Sequence, residues 1–177
     1  MLYEKKCFIC ERFFFWITKN NFDTKINVTN LASQVLPNIN QKCNVIFVFF
    51  DHLGNEIKRK EKILDYFESF SFVVSDYFEN SFGSLAIFQN FKNFDELKKQ
   101  GSFVTEKGYI GYNYRDGPWN YVHGNNSSLS LTTNGSIHPI LATTLLKNNS
   151  YIPQVRLEDC VDTSLVFNNP LDITLRT

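Results

Sequence analysis

The sequence predicts an all-β fold, an antiparallel β-sandwich of the immunoglobulin-like or jelly-roll-like kind with little helix. Three observations carry that prediction. Apolar residues recur with a period of two through much of the chain, the pattern of strands with one buried face. The runs are short and are separated by Gly, Asn, Asp and Pro at intervals of about 8 to 12 residues, as in sandwiches. No long helical segment links them, so the crossovers that parallel strands need are missing.

The first alternating segment is Asn20-Asn-Phe-Asp-Thr-Lys-Ile-Asn-Val28, a turn followed by a strand. The clearest hairpin runs from Asn44-Val-Ile-Phe-Val-Phe-Phe50 through Asp51-His-Leu-Gly-Asn55 into Glu56-Ile-Lys-Arg59. Its first arm is β-branched and aromatic and its second is charged, so a buried strand leads to an exposed one. Gly54 and Asn55 are the turn residues that tolerate positive φ. Between Lys60 and Phe70 the spacing of Ile63, Phe67 and Phe70 also fits a short helix. Ser84-Leu-Ala-Ile-Phe88 reads as a strand, and Phe94–Gln100 as a loop or one helical turn. Ser128-Leu-Ser-Leu-Thr132 alternates cleanly, and Asn134-Gly135 is a two-residue hairpin signal leading to Ile137.

A chain of 177 residues is long enough to bury roughly 70% of its unfolded surface in one core. One β-sandwich domain is expected over residues 1–158, with 159–177 as its final strand or the start of a second, truncated β-domain. The alternative rests on a short echo of Asn20–Val28 in Asn168-Asn-Pro-Leu-Asp-Ile-Thr-Leu-Arg176.

With 18 basic and 18 acidic residues, no net field draws the chain to nucleic acid or to an anionic membrane. Neither a nucleic-acid partner nor membrane insertion is expected. The apolar run Phe13–Ile17 is far shorter than a membrane span or a signal-peptide core, so a soluble, cytoplasmic location is the default. Cys7, Cys10, Cys43 and Cys160 do not form a dense disulfide pattern and are expected as reduced thiols. Cys7-Phe-Ile-Cys10 has half of a zinc spacing but no second half, and positions 7 and 10 of a strand point to opposite faces. No metal and no cofactor are expected. The acidic cluster Glu158, Asp159 and Asp162 is better explained as a solvated loop than as a calcium site.

The densest mixture of rings and charges is Gly108-Tyr-Ile-Gly-Tyr-Asn-Tyr-Arg-Asp-Gly-Pro-Trp-Asn-Tyr-Val-His123. It reads as a hairpin with Tyr109, Gly111 and Asn113 on one face, Ile110, Tyr112 and Tyr114 on the other, and a turn at Arg115–Pro118. Arg115, Asp116, Trp119, His123, Tyr112 and Tyr114 are the candidate binding residues, since flat rings beside a bidentate donor suit sugars or peptides. The chain is expected to be a noncatalytic binding or structural module for a carbohydrate or protein partner. The alternative is an enzyme of glycan or small-molecule metabolism using His123 with nearby carboxylates. No nucleophile elbow, phosphate loop, His-Glu-x-x-His or dinucleotide fingerprint supports catalysis.

Overall fold

The computed structural model describes residues 7–35, 41–91, 108–123 and 129–139. Among the described residues the fold is mostly β, 63% strand against 6% helix, in two packed antiparallel sheets. The strands are β1 (Cys7–Ile17), β2 (Phe22–Thr29), β3 (Cys43–Asp51), β4 (Glu56–Leu64), β5 (Ser69–Val73), β6 (Phe82–Phe91), β7 (Gly108–Tyr114), β8 (Asn120–Val122), β9 (Leu129–Thr132) and β10 (Ile137–Pro139), with a short helix α1 (Leu31–Val35). One sheet has the order β10-β9-β1-β6-β3-β4 and the other β5-β2-β7-β8. Among the described residues no helix is long and apolar enough to cross a membrane.

Strand β3 shows why the pattern is clean in some places and blurred in others. Cys43, Val45, Phe47 and Phe49 point between the sheets, and Ile46 and Val48 point to the other side, where they are also buried. A central strand covered on both faces reads as a continuous apolar run. The outer cover is the β9–β10 hairpin. A bulge between Cys10 and Arg12 shifts the register of β1, and bulges bend strands. The first part of β1 thus pairs with β9 and the rest with β6. Leu129, Leu131 and Ile137 then pack with Phe13, Ile46, Val48, Ala86 and Phe88. At the far edge of the sheet, Arg59 Nη1 of β4 donates to the Gly135 carbonyl at 2.9 Å, so the hairpin lies across that face.

The core between the sheets is rich in rings. Trp16 stacks on Phe78 at 4.9 Å, and Phe47 meets Phe72 edge-on at 5.2 Å. The side of the sandwich between β4 and β5 is closed by lysines. Register places Lys58, Lys60 and Lys62 opposite Phe49, Phe47 and Val45, hence on the inner side. The Lys60 ammonium lies 4.8 Å from the Phe72 ring centre and 4.5 Å from that of Tyr77, and Lys62 pairs with Glu68 at 2.8 Å. Their stems cover apolar edge while their charges meet ring faces and water. Inward-pointing lysines also protect an edge strand against pairing with another chain.

One end of the sandwich is closed by a satisfied polar network. The buried Asn30 amide donates to the carbonyls of Gln41 (2.8 Å) and Asp65 (3.1 Å). Its Oδ1 accepts from Ser33 N at 3.4 Å, which caps α1.

Three local expectations change in detail. Lys60–Phe70 is not helical but spans β4, a turn and β5. The spacing of Ile63, Phe67 and Phe70 is incidental, because the first two are exposed and only Phe70 packs on the core. In the β3–β4 and β9–β10 hairpins only Gly54 (φ 86°) and Gly135 (φ 85°) take positive φ, and their N–H groups bond back to Asp51 and Thr132. Each glycine thus follows the two turn residues as a bulge position instead of being one of them. Two-residue turns with both φ values positive occur instead at Asn20-Asn21 and Arg115-Asp116.

Cys43 is buried in the core. The side chains of Cys7 and Cys10, and residues 94–100, 158–162 and 168–176 with the proposed second-domain start, lie outside the described residues.

Candidate binding face on the four-stranded sheet

The β7–β8 hairpin forms one edge of the four-stranded sheet, with Gly111 opposite Tyr121 and Ile110 opposite Val122. The alternation read from the sequence holds: Ile110 is buried and Tyr109 exposed. Continued by one pair, the register sets Tyr109 against His123. The Tyr109 and His123 rings are 4.6 Å apart, in agreement.

Tyr121 of β8 and its flanking residues Trp119 and His123 alternate along the chain, and the contacts of Tyr121 with Gly111, of His123 with Tyr109 and of Trp119 with Lys25 set all three on the outward side. Tyr121 is 45% exposed and Tyr109 42%. Gly111 is what allows Tyr121 to lie flat. A Cβ at that position would come within 2.7 Å of Tyr121 Cε1, so any side chain there would lift the ring from the sheet. Next to this row β2 presents Lys25 and Asn27, paired with Gly111 and Tyr109, and β5 presents Ser71, paired with Asn27. The Lys25 ammonium sits 5.8 Å from the Trp119 ring centre.

The six residues named from the sequence fall in three places. Trp119 and His123 belong to the outward row. Tyr114, Arg115 and Asp116 lie at the end of the hairpin, where Tyr114 packs on Phe22 at 4.8 Å and the Arg115 guanidinium stacks on Tyr114 at 5.0 Å. The Arg115 N–H donates to the Asn21 carbonyl at 2.9 Å, tying this turn to the β1–β2 turn. Tyr112 points between the sheets, and its hydroxyl donates to the Phe15 carbonyl at 2.7 Å, a bond from one sheet to the other. Sequence reasoning left out Tyr121, Tyr109 and Lys25.

Burial pushes the Tyr112 hydroxyl up to about 12 from its ordinary 10.0. As pH rises, the unfolded chain loses this proton first, so the folded state is left holding more protons and stability falls between about pH 10 and 12. Below pH 10 the contribution is complete. Tyr112→Phe should cost about 1 kcal/mol at neutral pH, a typical hydrogen bond, and should be less sensitive to alkali. Urea unfolding of both proteins from pH 8 to 11.5 checks this; parallel pH profiles would count against the buried hydroxyl.

Of the other histidines, His52 stacks on Phe82 at 5.3 Å in the β3–β4 turn, and His138 lies on β10. Among the described residues no group of three or more His, Cys, Asp or Glu side chains is placed to hold a metal ion. Comparison with protein-family models, with curated proteins and with solved structures found no match.

Proposed function

We propose that the chain is a noncatalytic β-sandwich module, immunoglobulin-like or jelly-roll-like, that recognises a carbohydrate through the outward face of β7 and β8. The observation that supports this is the row Trp119, Tyr121 and His123, with Tyr121 laid over Gly111. Pyranose rings present flat patches of C–H groups that stack on such rings, and the neighbouring Asn27, Ser71 and Lys25 supply donors and acceptors for hydroxyls. The rigid sheet below holds the rings in place, so little order has to be imposed on binding. A protein partner would use the same rings as anchors.

Trp119→Ala is expected to weaken oligosaccharide binding by about 1–3 kcal/mol, roughly 5- to 150-fold, while the melting temperature moves little, because the ring is only half-buried. Calorimetric titration with a panel of oligosaccharides, alongside thermal unfolding of both proteins, checks the pair of expectations. A large loss of stability would make Trp119 a packing residue; unchanged binding would remove it from the site.

A further inference from the structure

We infer that the glycan this face takes is acidic, a uronate-type sugar whose carboxylate lies against Lys25; the inference rests on the carbohydrate reading above. The outward side of the four-stranded sheet carries two charged residues on its strands, Asp23 and Lys25, both on β2. Asp23 is already committed. Its Oδ2 accepts from the Ser75 hydroxyl at 2.6 Å, and its Oδ1 from the N–H groups of Thr24 (2.7 Å) and Ser75 (3.3 Å). Lys25 makes no ion pair among the described residues.

Position makes this cation matter. β2 is an inner strand, flanked by β5 and β7, so the ammonium stands within the face and not at its rim. It hovers over the Trp119 ring at 5.8 Å, on the surface a pyranose would stack on. A sugar on Trp119 thus lies within a few ångströms of an ammonium that no carboxylate among the described residues holds in an ion pair. An anionic substituent on that sugar gains a charge-assisted hydrogen bond; a neutral sugar gains only a weaker contact and crowds the ammonium off its ring.

The test uses oligogalacturonate and its methyl ester, which share ring and linkage but differ in charge, titrated calorimetrically into the full chain at low and at high salt. Oligogalacturonate should bind at least tenfold tighter than the ester at low salt, with the margin shrinking as salt rises. Lys25→Met should erase the preference by weakening oligogalacturonate at least tenfold, with a much smaller loss for the ester, and Trp119→Ala should weaken both. Equal affinities in wild type, or a preference that survives Lys25→Met, would overturn the acidic-sugar inference and leave the carbohydrate reading in place. If neither sugar binds but neutral oligosaccharides of other kinds do, the inference again falls alone. If no oligosaccharide binds, the reading beneath it falls as well.

Discussion

Trp16→Ala is expected to cost about 3–5 kcal/mol, the range for deleting a large buried aromatic side chain. Trp16 is 0% exposed, and two kinds of interaction end together on its removal. The ring faces Phe78 at 4.9 Å and meets Phe49 edge-on at 6.2 Å, contacts no neighbour can replace without leaving the sheet. The indole N–H donates to the carbonyls of Phe50 (3.2 Å) and Ser84 (3.0 Å), binding β1 to both β3 and β6. Against the ~5–15 kcal/mol of an ordinary domain, this leaves little margin. Urea unfolding gives the number, and a loss below about 1.5 kcal/mol would show that the core closes over the gap. Trp16→Ala and Trp119→Ala form a contrast within one chain: the first should remove stability, the second binding.

The strands were legible wherever one face is buried and the other wet, as in β2, where Thr24, Ile26 and Val28 are buried and the residues between them are not. Turn chemistry was legible at Asn20-Asn21, since asparagine tolerates the left-handed region both residues occupy. The lysines of β4 misled, because charge on a strand reads as outward while Lys58, Lys60 and Lys62 lean inward over rings of β5 and Tyr77. The second covered face was not legible either. It depends on the bulge at Cys10 and Arg12, and nothing local in Cys-Glu-Arg marks one.

The binding face was half visible. Trp119, Tyr121 and His123 share a parity that sequence displays, but which tyrosines join them depends on the register across the hairpin, and that in turn on where the turn closes. Arg115-Asp116 closes it with positive φ at both residues, a conformation neither residue advertises as glycine would. Lys25 lies some ninety positions earlier and reaches the face only through the β2–β7 pairing, a long-range contact invisible to local patterns.

The largest single-atom effect should come from Gly83, where β6 passes between Trp16 of β1 and Asp51 of β3. A Cβ there would lie 2.0 Å from the Phe50 carbonyl oxygen and 3.0 Å from its carbon. The obstacle is backbone of a central strand, so no rotamer change relieves it and β3 must move away. Gly83→Ala is therefore expected to cost about 3 kcal/mol or more, at or above the usual range for overpacking. The displaced oxygen is the one that accepts from the Trp16 indole, so the two sites are coupled. Once Gly83→Ala has shifted that carbonyl, Trp16→Phe should cost less than in wild type, by about the ~1 kcal/mol of one hydrogen bond. The four proteins of this cycle, unfolded in urea under one set of conditions, measure both quantities. Additive losses would mean that the carbonyl keeps its place, and a Gly83→Ala cost below about 1 kcal/mol would mean that β3 and β6 lie farther apart at this point than the contact requires.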